Sequence, residues 1–406
     1  MEQYTGILGI LVLLSISFLL SNNRSLVDKN IIFWGLGLQF SFAFIILKTS
    51  FGEKLFFYFN IFIVKLISFA DAGSDFLFTS FIPEVGYDQA LLNFAFRALP
   101  VIIFFSSLIA VTYHLGMIQF VIKNISLLME KTMKTSGAET LSISANIFVG
   151  QTEAPILIRP YISQMTKSEL MTVMVGGFAT VAGSVMALYV TWLNNIPDIA
   201  GHLLAASVMS APAALMVAKI IYPETKPLKT ISSNKINLKS NDNNIVDAVG
   251  RGATEGLTLA ANVAAMLIAF ISIVAMINFA LGLLGTSMQE ILGLLFKPLA
   301  WTMGIPWKDA EVVGTLMGEK IVLTELIAFR DLSDYVTKNI LSERSIIITS
   351  YALCGFANFG SIGIQLGGIG SMAPERKKDL SRIVFKAMLG GAIASWLTAS
   401  IVGIII

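Results

Sequence analysis

Charge is what this 406-residue chain has least of: Asp, Glu, Lys and Arg make up 13% of it, against a hydrophobic fraction of 55%. A soluble domain carries about a quarter charged residues, so this chain lacks the polar surface to cover itself in water. A net charge of +2 provides no basic field for nucleic acid. Cys354 is the only cysteine, which excludes a disulfide framework and a cysteine-based metal cluster and leaves it as a small packing residue. There are two histidines; His114 ends one apolar run and His202 starts another, and both read as interfacial. Enzyme signatures are missing too: no His-Glu-x-x-His, no Gly-x-Ser-x-Gly and no phosphate loop. Gly368-x-Gly370-x-x-Ala373 approaches a dinucleotide loop but closes an apolar span. No enzyme is expected. Met1-Glu2-Gln3 lacks the basic start of a signal peptide, so the first apolar stretch is expected to stay as a helix.

What remains is apolar helix. A crossing needs about 20 mostly apolar residues. Eight runs qualify: Tyr4–Leu20, Ile31–Leu47, Leu92–Tyr113, Leu170–Trp192, Leu203–Tyr222, Leu257–Leu284, Ile346–Ile369 and Ile383–Ile406. Phe51–Ala70 is interrupted by Glu53, Lys54, Asn60 and Lys65, and Ile118–Lys134 is amphipathic; both read as helices lying in the interface. Most of the 28 Lys and Arg residues fall at Arg24 and Lys29, in 123–167, in 219–251 and in 376–386. All four groups are cytoplasmic only if both termini lie outside and Phe51–Ala70 does not cross. The polar stretch Pro223–Asn244 is the one clear linker.

Two further segments are apolar yet broken by charge: Leu141–Ser163 and Ala310–Ser333. Each reads as a re-entrant hairpin. Their sequels share an order: Thr152-Glu153, Arg159, Ser168-Glu169, Gly177-Phe178-Ala179-Thr180, Gly183-Ser184, against Thr324-Glu325, Arg330, Ser342-Glu343, Gly355-Phe356-Ala357-Asn358, Gly360-Ser361. With the topology above, the first hairpin enters from the cytoplasm and the second from outside. The expected fold is therefore an all-α polytopic membrane protein, eight spans plus two opposed hairpins in an inverted repeat, the architecture of secondary transporters. The parts are 1–115 (scaffold, spans one to three), 116–222 (core repeat one), 223–284 (linker and scaffold span six) and 285–406 (core repeat two). Arg97, near the end of span three, is expected to snorkel.

A carboxylate at bilayer depth costs about 2.5–3.5 kcal/mol on insertion scales, so it needs a partner or water. Glu153 and Glu325 are each followed by an arginine, which leaves two readings open. One is an internal Glu–Arg ion pair; the other is a pair of acceptors for a polar, hydroxyl-bearing solute, with Gln151, Thr152, Asn358 and Ser361 beside them. Asn146, Thr180 and nearby carbonyls offer hard oxygen ligands for a small cation, or an ordinary hydrogen bond at a broken helix. A proton-coupled symporter of nucleosides or another polar metabolite, with one glutamate as carrier, is the alternative class.

Gly150-Gln151-Thr152-Glu153-Ala154-Pro155 with Arg159-Pro160-Tyr161 closely resembles the hairpin signature of concentrative nucleoside transporters. Gly318-x-Lys320-x-x-x-Thr324-Glu325 and Gly355-Phe356-Ala357-Asn358-Phe359-Gly360-Ser361-Ile362 resemble two further signatures, so the likeness covers nearly the whole chain. It implies a bacterial inner-membrane subunit in a homotrimer, importing nucleosides such as uridine by sodium symport. By that resemblance Gln151 and Thr152 would bind the base with Glu153 nearby, and Val185 and Phe356 would pack on it. Glu325, Asn358 and Ser361 would hold the ribose. Sodium would sit on Asn146, the Val149 carbonyl, Thr180 and the Val181 carbonyl. The chain departs from the pattern at Thr324, where Asn is usual, and at Thr180, where Ser is common.

Overall fold

The computed structural model describes residues 2–79, 94–97, 99–226, 236, 240 and 242–406. The linker Pro223–Asn244 lies partly outside these, as do Leu92 and Asn93 at the head of the third expected span. The described residues form helices α1 Glu2–Leu19, α2 Lys29–Lys48, α3 Ser50–Phe78, α4 Phe94–Arg97, α5 Leu99–His114, α6 Met117–Met133, α7 Gly137–Asn146, α8 Arg159–Ile162, α9 Lys167–Ala179, α10 Gly183–Trp192, α11 Ile199–Ile221, α12 Ile245–Gly282, α13 Met288–Thr302, α14 Ala310–Val322, α15 Glu325–Thr337, α16 Glu343–Leu353, α17 Phe359–Met372 and α18 Lys377–Ile405. Among the described residues, seven helical stretches of at least 18 residues are apolar enough to cross a bilayer.

Three apolar runs differ in where their helices run and stop. Phe51–Ala70 is part of one continuous helix, α3, which runs on to Phe78 and has the length and apolarity of a crossing. Its Lys and Glu residues lie on exposed positions and do not break it. The Ile346–Ile369 run unwinds beside its glycines: α16 stops at Leu353 and α17 starts at Phe359. Leu170–Trp192 is likewise broken, between Ala179 and Gly183. By contrast α6 is amphipathic as read, burying Ile122, Ser126, Met129 and Met133 along one stripe.

The order of elements repeats. An amphipathic helix (α6, α13) precedes a helix–turn–helix (α7 to α8, α14 to α15), a broken helix (α9/α10, α16/α17) and a closing long helix (α11, α18). Local chemistry fixes the starts. Ser136 and Glu139 form a reciprocal capping box at α7, and Thr166 and Glu169 form another at α9. At the corresponding point of the second half, Asp309 accepts from the Ser342 hydroxyl at 2.6 Å and the Ser345 hydroxyl at 2.6 Å. Burial raises the Asp309 carboxyl, but these hydrogen bonds outweigh it and hold the group below the ordinary carboxylate range.

Helices α9, α11 and α18 are buried nearly all round and pack on one another, forming the centre of the molecule. The two broken helices meet there at their breaks: the Phe356 N–H donates to the Thr180 carbonyl at 3.3 Å. Gly355 makes this approach possible. It has φ +129, and a Cβ on it would lie 2.8 Å from the Phe178 carbonyl oxygen. Helices α5 and α12 pack on each other at the periphery, and α12 presents an apolar surface outward, including Ile268, Met276 and Phe279.

Two buried cations lock the core. Lys219 on α11 contacts Glu139 on α7 at 2.8 Å, with side-chain exposures of 5% and 0%, and also donates to Ser168. Lys320 on α14 donates to the Ala352 carbonyl at 2.8 Å and to Ser395 at 2.7 Å, satisfying the last turn of α16 just before its break. The neighbouring Glu319 is enclosed, and its carboxyl lies against Asp331 on α15 and Gln289 on α13. Two facing carboxyls disfavour each other's charge, so Glu319→Gln, which removes one of them, is expected to raise the apparent melting temperature in detergent; a fall would show that the paired carboxyls have a favourable role.

Candidate functional site

The site is built from the turns and breaks of both halves. In the second half α14 ends at Val322 and the chain turns through Leu323 and Thr324. The Thr324 side chain caps α15 by accepting from Ile327 N–H, which places Glu325 as the first residue of that helix. A carboxylate there faces the positive end of the helix dipole. Glu325 is 2% exposed. Tyr189 donates to Oε1 at 3.1 Å and Asn358 Nδ2 donates to Oε2 at 2.7 Å. The Tyr189 ring stacks on Phe329 with centroids 4.2 Å apart.

Asn358 in turn caps α17, its Oδ1 accepting from the Ser361 N–H at 2.8 Å. Ser361 Oγ accepts from Gln151 Nε2 at 3.2 Å, and Gln151 Oε1 accepts from Gln365 Nε2 at 3.1 Å. A chain of hydrogen bonds thus runs from Tyr189 through Glu325, Asn358, Ser361 and Gln151 to Gln365. It connects the two helix–turn–helix units through α17. Val185 is buried one turn before Tyr189 on α10, and Phe356 is half-buried in the second break.

The cation candidates lie on the first turn and the first break. Asn146 Nδ2 donates to the Ser142 carbonyl, leaving its Oδ1 buried and without a partner. Thr180 Oγ1 donates to the Gly176 carbonyl at 3.0 Å, so its lone pairs remain available. The Gly183 N–H donates to the Phe148 carbonyl at 3.0 Å. That bond ties the turn carrying Val149 to the break carrying Thr180 and Val181. An orphaned amide oxygen among hydroxyl and carbonyl oxygens suits a hard monovalent cation.

Not every sequence candidate joins this network. Glu153, expected to be buried, has an exposed side chain; its Oε1 accepts from Thr152 at 3.0 Å and the carboxylate folds back over Gly150. It makes no described contact with Glu325. Ion pairs from Glu153 to Arg159 and from Glu325 to Arg330 are absent among the described residues, and both arginines are exposed. Arg97 does not snorkel freely: it pairs with Asp75 at 3.0 Å and Asp71 at 3.6 Å. His202, in the first turn of α11, has its Nδ1 3.1 Å from the Tyr351 hydroxyl. Cys354 is buried at the second break, as packing required. Sequence reasoning missed Tyr189 and Gln365. Each lies four residues beyond a named candidate, Val185 and Ser361, and a helix puts i and i+4 on one face.

Comparison with known proteins places the chain in a family. Residues 8–81 match the Na+ dependent nucleoside transporter N-terminus model, 95–195 a nucleoside recognition (Gate) model and 202–403 the Na+ dependent nucleoside transporter C-terminus model. Sodium/nucleoside cotransporter 1 of Rattus norvegicus is 42% identical over the whole chain, which spans 64% of that relative's length. The chain and the transporter YutK of Bacillus subtilis align over their full lengths at 41% identity. The solved structure of CNTnw in an inward-facing, substrate-bound state superposes with a TM-score of 0.91 at 39% identity, covering 100% of this chain and 98% of that one. An outward-facing form of CNTnw gives 0.92 at 38% identity, with 100% and 97% covered. These relatives are transporters, and this chain belongs to the Na+-dependent nucleoside transporter family.

Proposed function

We propose that this protein is a secondary active transporter that imports nucleosides by sodium symport through alternating access. The observation that supports it most is the hydrogen-bond chain from Glu325 to Gln151. It lines up a carboxylate, an amide and a hydroxyl for ribose on one side, and a second amide for the base on the other. In this reading Glu325, Asn358 and Ser361 hold the ribose hydroxyls. Gln151 and Thr152 bind the base with Glu153 nearby, and Val185 and Phe356 pack against it. Sodium is cargo at Asn146, Thr180 and the Val149 and Val181 carbonyls.

The two helix–turn–helix units are re-entrant hairpins of opposite orientation, within core repeats at 116–222 and 285–406. These move against a scaffold of 1–115 and 223–284. Phe51–Ala70 lies along the interface within the longer α3, giving eight crossings. The apolar outer face of α12 meets lipid or a neighbouring subunit of a homotrimer in a bacterial inner membrane.

Sodium acts on the nucleoside site through the shared breaks. An ion on Thr180 and Val181 orders the first break, which is bonded to the second through Phe356. Ion and solute therefore raise each other's affinity, and by the same factor.

Radiolabelled uridine uptake into proteoliposomes, with sodium and pH gradients imposed separately, tests the reading. Uptake driven by the sodium gradient is expected; none under either gradient refutes nucleoside symport, and uptake under the pH gradient alone refutes sodium coupling. Thr180→Val should raise the sodium concentration for half-maximal uptake by about tenfold, the equivalent of about 1.4 kcal/mol. Thr180→Ser, which keeps the hydroxyl, should leave it near wild type. Equal effects of the two variants would remove Thr180 from the ion site.

A further inference from the structure

Gln365 lies one turn beyond Ser361 on α17 and is fully enclosed. Its Nε2 donates twice, to the Met174 carbonyl on α9 at 3.1 Å and to Gln151 Oε1 at 3.1 Å. The slot it fills exists because Gly177 has no side chain: a Cβ there would sit 2.6 Å from Gln365 Nε2 and 3.0 Å from Gln151 Cβ. An amide is placed between two helices at the one point where the opposing helix leaves room.

The geometry points to Gln365 as the residue that sets which end of the Gln151 amide faces the base, and hence the donor–acceptor preference of the site. This inference rests on the nucleoside reading above. A backbone carbonyl only accepts, so the Gln365 atom facing Met174 must be the NH2 group. The same nitrogen faces Gln151, so the Gln151 atom it meets must be the oxygen. Gln151 then presents its NH2 group to the Ser361 hydroxyl oxygen, at 3.2 Å. One peptide carbonyl thereby fixes the direction of three successive hydrogen bonds, an assignment usually left open for amides.

Two consequences follow for recognition. Gln151 has one N–H left for ligand, while one lone pair of its oxygen is already taken, so its free donor is aimed at a base with an acceptor at that edge. The Ser361 hydroxyl, already accepting from Gln151, keeps its proton to donate to the sugar. Gln365 touches neither base nor ribose in this arrangement. It is a positioning residue.

The test is sodium-driven uptake of uridine and cytidine, which swap acceptor for donor at the 4-position and donor for acceptor at N3 of one base edge, by wild type, Gln365→Met and Gln365→Glu. Met keeps the shape and removes both hydrogen bonds; Glu offers Gln151 an acceptor and so reverses its amide. Gln365→Met is expected to raise KM for both nucleosides about tenfold with maximal rate and sodium dependence near wild type. Gln365→Glu is expected to change the uridine-to-cytidine ratio of KM values by fivefold or more. If wild type transports nucleosides, KM values within twofold for both variants overturn the inference. So does a loss of maximal rate with unchanged KM, the mark of a merely structural role. Should one variant fail to fold, judged by its melting temperature, the other decides. If wild type transports neither nucleoside, the functional reading falls first, and the inference with it.

Discussion

Glu325→Gln is expected to reduce uridine uptake by at least about 100-fold while leaving the protein folded. The carboxylate accepts from Tyr189 at 3.1 Å and Asn358 at 2.7 Å, and both donors are themselves enclosed or braced by neighbours. Hydrogen bonds to a charged group contribute about 1.5–3 kcal/mol each, and a rate or affinity factor of ten corresponds to about 1.4 kcal/mol. Losing the charge toward a sugar hydroxyl costs about one to two such factors, and the amide NH2 of the replacement faces the Tyr189 and Asn358 donors, which displaces Asn358 from the sugar and supplies the rest. Gln preserves volume, and one buried charge fewer does not threaten the fold. Arg330→Lys is the contrast: Arg330 is exposed and not paired with Glu325, so uptake should stay close to wild type. A Glu325→Gln variant within threefold of wild type, or equal losses in the two variants, would remove Glu325 from the binding role.

The largest expected loss of stability is Lys219→Met. Removing one member of a buried ion pair strands the other charge and costs about 3–5 kcal/mol. Glu139 would be left at 0% exposure with its Oε2 facing no cation. The apparent melting temperature should fall by about 5–10 °C. The double variant Glu139→Gln with Lys219→Met should recover part of that fall, since it leaves no stranded charge. A double variant less stable than Lys219→Met alone would show that the pair contributes mainly through its other partner, Ser168.

Much of this site was legible in the sequence because its chemistry is local. Thr324 caps the helix that Glu325 begins, Asn358 caps the helix that Ser361 enters, and each relation spans three residues or fewer. The repeat was visible for the same reason: it is a fixed order of short pieces. Long-range facts were hidden. That Glu325 takes Tyr189 and Asn358 as partners rather than Arg330 depends on how α10 and α17 cross the second turn, which no spacing encodes. Glu153 and Glu325 look alike as strings, yet one is enclosed and the other open, because only the second has a helix on each side supplying donors. Helix length was less visible: Phe51–Ala70 read as a helix, but its continuation to Phe78 lay beyond the apolar run. The span Ile346–Ile369 breaks beside its glycines, at the point where two backbones touch.

That touching point has a mechanical consequence. One backbone hydrogen bond, from Phe356 to Thr180, fastens the break proposed to hold the ion to the break proposed to hold the sugar. Neither break can change its backbone angles without pulling on the other. A carrier geared in this way has little freedom to slip, so sodium current in the absence of nucleoside should be small. Loosening the joint by a substitution at Gly355 should show itself first as leak, ahead of any loss of affinity.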